Sequence, residues 1–355
     1  MSDRPVRVGL IGFGYAGRTF HAPLIGATEG IELAAIASSQ RDAIADQLGP
    51  VPVVGSVADL LVRQDVDLVV VASPNHSHAS IACQALEAGK HVVVEKPYAL
   101  TLDEARGVNE RARRSGRLLA VFQNRRWDSD FLAVRAAIER GLIGQVVHFE
   151  SHFDRFRPQV RDRWRERPEG GGGIWYDLAP HLVDQALQLF GLPERVEASL
   201  AILRPGASAH DWAHAILHYP DKRVILHASM LAAGGSARFI VHGTLGSLVK
   251  ERADQQEAQL LAGVVPGSPG WGRDEDPLVR YDEGGRTELP APAGDQRAFY
   301  RGVVAAIRDG AKSPVPLAQA LATTAVIEAA LRSSSEQRAI PLSLTRAEQV
   351  AFAED

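Results

Sequence analysis

Residues 6–17 read VRVGLIGFGYAG. An apolar run leads into three glycines, Gly12, Gly14 and Gly17, spaced as G-x-G-x-x-G. The spacing alone is a weak signal. It gains weight from its setting, because it ends a strand pattern, opens a helical pattern and lies in a βαβ unit. There the first glycine permits a tight turn, the second lets the backbone approach a pyrophosphate, and the third lets helix and strand pack closely. The helix N-terminus offers free N–H groups and the positive end of its dipole to the phosphates. The stretch predicts a dinucleotide-binding Rossmann unit.

Outward from this stretch the pattern repeats. Continuous apolar runs recur at 31–38, 66–73, 90–96 and 117–123. They lack polar alternation, as parallel strands covered on both faces do. Helical patterns fill the intervals at 16–29, 40–48, 56–64, 77–88 and 102–115. The last opens on TLDE, a capping box of Thr101 and Glu104. Strand and helix in alternation predict right-handed crossovers and a doubly wound parallel sheet. After Gln123 the period changes. A helix is expected at 128–140, then strands at 145–156, 194–203, 211–231 and 237–251, the third a hairpin turning at Pro220-Asp221. Their alternation marks an antiparallel sheet with two unlike faces. Residues 262–294, rich in Gly and Pro, read as a long loop with one short strand at 278–281. Helices follow at 295–310 and 315–335. The expected fold is α/β. A Rossmann domain is expected over 1–123, and an α+β domain with a large, mostly antiparallel open sheet over 124–355.

The 355 residues suffice for two domains. A net charge of −4 gives a nucleic-acid partner no electrostatic support. The single cysteine, Cys83, cannot form an internal disulfide or a Cys-rich zinc site. It points to a reducing compartment, the cytoplasm, and reads as a buried structural residue. No apolar run approaches the ~20 residues of a membrane span. The N-terminus enters a strand at once, so no signal peptide is expected.

Dinucleotide folds that take the non-phosphorylated cofactor usually carry an acid at the end of the second strand. Here that strand ends in SSQR, with Ser38 in the acid's place and Arg41 following. A hydroxyl and a guanidinium suit a 2′-phosphate, which a carboxylate would repel. This points to NADP, with NAD as the alternative. The plainer reading is a capping serine and a solvated arginine. The fourth apolar run ends in Glu95, Lys96 and Pro97. Ligands of open α/β sheets lie beyond the strands' carboxyl ends. Pro97 keeps Lys96 out of the helical region and permits a cis bond. Further on, 170–181 read GGGGIWYDLAPH. Glycine gives up the most entropy on folding, so such a run marks either slack or close approach.

Together with SPNHSH at 73–78, ALEAGKHVVVEKP at 85–97, NRRWD at 124–128 and GGGGIWYDLAPHLVD at 170–184, the fingerprint resembles the Gfo/Idh/MocA oxidoreductases. The resemblance runs in order from about residue 6 to 345, with family-like spacing. GFGYAGRTFHAPLI and RFRPQVRDRWRERP are similar to the branch containing NADP-dependent scyllo-inositol dehydrogenases. The resemblance implies reversible oxidation of a secondary hydroxyl on a sugar or an inositol-like cyclitol. It implies catalytic positions at Lys96, Asp177 and His181. Cofactor contacts are implied at Gly12, Phe13, Gly14, Tyr15, Ala16 and Gly17, then at Ser38, Ser39 and Arg41. Further ones fall on Ser73, Pro74, Asn75 and His78, and on Glu95, Lys96, Asn124 and Trp127. Substrate contacts fall on Lys96, Arg155, Trp164, Tyr176, Asp177 and His181. A homo-oligomer, dimer or tetramer, is implied through the outer face of the C-terminal sheet, where AILHY and ARFIV look too apolar to stay wet. Ala179 stands where the family often has glycine, and the glycine run is one residue longer.

In this setting the glycines let their loop pass close to nicotinamide and substrate. Asp177 and His181 then share one face at a helix start. Pro180 is tolerated in the first turn, and the dipole favours the carboxylate and a neutral imidazole. His181 accepts the hydroxyl proton. Metal binding is the rival use of such a pair, but one acid, one imidazole and no third ligand predict no metal. His76, His78, His148, His152, His210, His214, His218 and His227 scatter along helices and strands, and most read as structural. The six arginines from Arg155 to Arg167 are either a solvated loop or contacts to the cofactor phosphate or an acidic substrate. Two other functions stand beside the dehydrogenase: a non-catalytic dinucleotide- or sugar-sensing regulator, and a reductase of another carbonyl. A sensor has no need of a proton acceptor, so Lys96, Asp177 and His181 argue against it.

Overall fold

The computed structural model describes residues 4–355 and resolves into two compact units. The first holds a parallel sheet of β1 (Val6–Ile11), β2 (Ile31–Ala37), β3 (Val53–Val54), β4 (Leu68–Val71), β5 (His91–Val94) and β6 (Leu119–Val121). The strand order is β3-β2-β1-β4-β5-β6, the doubly wound Rossmann order. Val69, Val70, Val71, Val92, Val93 and Val94 are all fully buried. Branched side chains covered on both faces explain the unbroken apolar runs. The sequence pattern gives no sign of β3, because two residues show no period. Thr101 caps its helix as expected, its Oγ1 accepting the Glu104 N–H at 3.2 Å, while the Glu104 carboxylate takes the Leu100 N–H.

The chain returns to this first unit in Gln256–Trp271 and Asp295–Leu317. A single boundary at 123/124 misses that return. The returning helix Arg297–Asp309 buries Phe299, Tyr300 and Val303. Periodicity marks its apolar face but cannot say which core receives it.

The second unit takes Arg125–Gln255, Gly272–Gly294 and Ala318–Asp355. Its sheet holds β7 (Val146–Asp154), β8 (Arg195–Ala201), β9 (Trp212–His218), β10 (Arg223–Ser229), β11 (Phe239–Gly243), β12 (Gly246–Lys250), β13 (Leu278–Asp282), β14 (Gly285–Leu289) and β15 (Ile340–Pro341). The order is β14-β13-β12-β11-β7-β10-β9-β8-β15, and only β7 with β10 runs parallel. Strands β9 and β10 pair His218 with Arg223 around Pro220-Asp221, the hairpin expected. The stretch expected to be a loop with one strand is instead partly a hairpin of β13 and β14. Four of the five residues of β14 are exposed, so no apolar alternation announces it. The helix Arg346–Glu354 also lies beyond the last helix expected, although its Thr345/Glu348 capping box is written in the sequence.

The inner face of this sheet buries Phe149, Leu217, Val224, Leu226 and Val241. Helix Ile174–Phe190 covers it with Leu178, Leu182, Val183 and Ala186. The opposite face carries the alternate residues. Register brings His148 and His152 beside Arg223 and His227, and those beside His218 and His214. The His152 and His227 rings lie 5.4 Å apart, and those of His214 and His227 5.5 Å. Histidines scattered along the sequence thus gather on one face.

Candidate active site

The fingerprint turn leaves β1 with Gly12 at φ +93°, where a Cβ would lie 2.6 Å from the Ala72 carbonyl oxygen. A Cβ on Gly17 would collide with the Gly12 carbonyl. The protein's own backbone therefore requires these two glycines. At Gly14 a Cβ would meet no protein atom within 4 Å, so bare main chain faces open space there. That is the fit a pyrophosphate needs. Phe13 points into the core and leaves only main chain to the turn. Tyr15 is exposed, and its Oη donates to Glu257 Oε1 at 2.7 Å. The helix begins beyond Ala16 with a π-helical turn over Gly17–His21 and continues as Ala22–Gly26.

At the end of β2, Ser38 Oγ accepts the Gln40 N–H at 3.1 Å, and Arg41 Nη1 donates to the Val53 carbonyl at 3.0 Å. Ser39 and Arg41 are exposed beside them. After β4, Pro74 leads into a short turn over Asn75–Ser77, and the Ser73 and Ser77 hydroxyls lie 2.7 Å apart. His78 is buried, with Nδ1 2.7 Å from the Pro97 carbonyl and Nε2 2.8 Å from that of Ser73. Its ring ties two strand-end turns together. Burial pushes this imidazole below its ordinary value.

The Lys96–Pro97 peptide is cis, and Lys96 is half-buried. Glu95 is turned inward. Its Oε1 lies 3.0 Å from His21 Nε2 and its Oε2 accepts the Lys96 main-chain N–H at 3.0 Å. Both Glu95 oxygens are thus used within the protein. Burial pushes the carboxyl up, but the His21 hydrogen bond and the charge of Lys96 outweigh it and hold Glu95 below the ordinary carboxylate range. Asn124, at the close of the first unit, is buried.

In the second unit, Asp177 and His181 stand on helix Ile174–Phe190. A Cβ on Gly172 would strike the Arg167 carbonyl, and Gly173, at φ +91°, lies against the His210 main chain. At Gly172 and Gly173 the run makes a close approach to the protein's own backbone. Pro180 is the seventh helical residue, beyond the first turn, so it does forfeit a helical hydrogen bond. His181, the eighth, stands too far along for the dipole to matter, while Asp177 stays within its reach.

The arginine loop has an internal purpose. Arg155 Nη1 donates to Asp177 Oδ2 at 3.1 Å, and Arg165 Nε lies 3.8 Å from Oδ1. Arg163 pairs with Glu166 and Arg167 with Asp162. The Arg165 guanidinium lies 4.5 Å from the Trp164 ring. Arg157 is half-buried, and burial with the charges of Arg155, Arg161 and Arg163 pulls its pKa down against the pull of Asp177. Tyr176 and Trp127 are half-buried. His181 is only 6% exposed and meets the Phe153 ring edge-on at 6.4 Å. The guanidiniums of Arg238 and Arg125 lie 3.9 and 5.1 Å from that same ring.

Two buried pairs went unread in the sequence. Arg126 grips Asp184 through two bonds of 2.8 and 2.6 Å, and Arg238 donates to Asp130 at 3.0 Å. The first pair joins NRRWD to the last residue of GGGGIWYDLAPHLVD, so a signal for it lies in those two stretches. Among the described residues, no cluster of three or more His, Cys, Asp or Glu side chains is placed to hold a metal ion.

Residues 6–123 match the NAD-binding Rossmann fold of the Gfo/Idh/MocA oxidoreductase family, and residues 135–344 match its C-terminal alpha/beta domain. The chain belongs to this family. It is 49% identical over 346 residues to the uncharacterized oxidoreductase YdgJ of Escherichia coli K12, covering 96% of this chain and 100% of that one. It is 32% identical over 343 residues to the NADP(+) scyllo-inositol 2-dehydrogenase IolW of Bacillus subtilis 168, covering 95% and 96%. The crystal structure of an oxidoreductase from Klebsiella pneumoniae superposes with a TM-score of 0.93 at 50% identity, covering 99% of each chain. The protein is thus an oxidoreductase with a nicotinamide-dinucleotide fold.

Proposed function

We propose that this oxidoreductase is an NADP-dependent dehydrogenase that reversibly oxidises a secondary hydroxyl of a sugar or inositol-like cyclitol. The observation that carries this reading is the lysine at the end of β5 in one unit and the acid–imidazole pair on one helix face in the other. The scyllo-inositol 2-dehydrogenase among its relatives supports the substrate class. In this proposal Gly12–Gly17, with Ser73, Pro74, Asn75, Asn124 and Trp127, hold the dinucleotide, which when bound supplies the hydride acceptor. The Lys96 ammonium donates to the reacting oxygen and stabilises its developing negative charge. His181 takes the hydroxyl proton at an imidazole nitrogen. Asp177, fixed by Arg155 and Arg165, orients the substrate with Trp164 and Tyr176. Residues 1–123 carry the cofactor role, and 124–355 the substrate and assembly roles.

Preference for NADP rests on Ser38 and Arg41 at the end of β2, where folds that take the non-phosphorylated cofactor usually carry an acid. Two charge-assisted contacts are worth roughly 2–3 kcal/mol. The double substitution Ser38→Asp with Arg41→Ala should lower the NADP-over-NAD ratio of kcat/KM by about 30-fold or more. A wild-type preference for NAD, or an unchanged ratio, contradicts it. The assembly proposed is a homo-oligomer of the cytoplasm, formed through the outer sheet face, where Ile216, Ile225 and Ile240 lie among the histidines. Sedimentation showing only a 38.3 kDa species contradicts that.

The reaction class is tested by offering polyols and sugars with each nicotinamide cofactor and following the reduced nicotinamide. A second reading, a reductase or dehydrogenase of an acidic substrate, is favoured by Arg157. Its guanidinium has no ion pair among the described residues and faces Asp177 amid other arginines. Sugar acids belong in the same panel.

A further inference from the structure

Behind Lys96 lies a run of buried polar groups that the proposed chemistry leaves unused. His21 and Tyr300 are both 0% exposed. His21 Nδ1 lies 2.6 Å from Tyr300 Oη, and His21 Nε2 lies 3.0 Å from Glu95 Oε1. Glu95 Oε2 accepts the Lys96 N–H at 3.0 Å. All four residues belong to the first unit, although Tyr300 stands 279 positions after His21 on the returning helix. Phe122 wedges the group, with ring centroids 4.4 Å from His21 and 6.0 Å from Tyr300. His21 ends the π-helical turn that follows the fingerprint, and such turns are frequent at functional sites.

The chemistry of these groups gives the run a direction. An ionised carboxylate only accepts, so each Glu95 oxygen needs a donor. Lys96 N–H serves one and His21 Nε2–H the other. A neutral imidazole protonated at Nε2 is an acceptor at Nδ1, so the Tyr300 hydroxyl donates to it. Burial and the charge of Glu95 push the Tyr300 phenol well up, which keeps that hydroxyl protonated.

We infer that Tyr300, His21 and Glu95 form a positioning chain for Lys96. Its oriented hydrogen bonds fix the lysine's main chain and keep one buried negative charge beside its ammonium. The inference rests on the proposed role of Lys96 and extends it to the buried residues behind it.

Tyr300→Phe keeps the ring packing and removes only the donor. His21→Leu leaves Glu95 Oε1 without its partner, while His21→Gln can still offer it an N–H. A misplaced reacting group can cost on the order of 100-fold. The expected kcat losses are therefore about 100-fold for His21→Leu and about 10-fold for Tyr300→Phe, with cofactor Kd changed less than ~2-fold. The pH profile of kcat should move in His21→Leu and return toward wild type in His21→Gln. Independently of turnover, 15N NMR of the cofactor-free protein should show His21 as the Nε2–H tautomer at neutral pH and a changed Nδ1 shift in Tyr300→Phe. A protonated or Nδ1–H imidazole overturns the chain. So do wild-type kcat and pH profile in folded His21→Leu and Tyr300→Phe when Lys96→Met is inactive. Wild-type turnover in Lys96→Met instead overturns the role of the lysine on which the chain depends.

Discussion

Glu95 and Asp177, one carboxylate in each unit, are held in opposite ways. The Glu95 side chain is 9% exposed and takes its hydrogen bonds from a main-chain N–H and from a buried imidazole that packs on the Phe122 ring. Asp177 is 17% exposed and takes its cations from Arg155 and Arg165, long side chains that are themselves 26% and 30% exposed. The first arrangement has one geometry, because moving any member strands a polar group in the core. The second can be redrawn by changing an arginine, with little effect on the core. The lysine end of β5 is thus built for fixity and the acid end of the glycine loop for adjustment.

Substitutions at the two acids should separate these designs. Glu95→Ala removes the acceptor of two buried donors and should cost ~3 kcal/mol in chemical denaturation. Asp177→Asn should cost less than ~1 kcal/mol, because its partners reach water, yet it should lower turnover more than it lowers stability. Equal stability losses would break the contrast.

Acidification gives a smaller effect. Burial holds His78, His214 and His227 below their ordinary values, with the Asp211-side neighbour His210 shifted the same way. The unfolded chain therefore binds more protons than the folded one as pH falls through the ordinary histidine value near ~6.5. Stability present above that value is lost below it. Glu95 and Glu150, held low, keep their contributions until pH falls below the ordinary carboxylate value of ~4.3. Between pH 7.5 and 5.5 the expected loss is on the order of 1 kcal/mol, or a Tm drop of about 2–4 °C. A Tm that rises over that interval contradicts the assignment. The smallest effect belongs to Arg155→Ala, with stability changed by less than ~0.5 kcal/mol but substrate KM altered while cofactor Kd holds.

The Rossmann half was legible because burial on both faces writes unbroken Val and Ile runs, and because its glycines sit at a strand–helix junction. The alternating strands β9 and β10 were legible for the opposite reason, since one face is wet. Short or fully exposed strands such as β3 and β14 write no pattern. Placement was legible where residues are local in sequence, as EKP closes β5 and Asp177 and His181 share one helix. The His21–Tyr300 contact, between distant stretches with no shared motif, could not be read. Neither could the use of Glu95, whose motif marks a site but not which way the side chain turns. The Arg167 carbonyl beside Gly172 is visible only in the folded chain. Cys83 is half-buried rather than fully buried, and burial pushes its thiol up, as for an inert side chain.

The proton acceptor is the step on which the whole account turns. General base assistance is typically worth about 10²–10⁴ in rate. With NADP and a good polyol substrate, His181→Ala should lose kcat by that factor, keep cofactor Kd within ~2-fold, and lose the rising limb of the wild-type pH profile. Near-wild-type turnover in His181→Ala with an unchanged pH profile would contradict it.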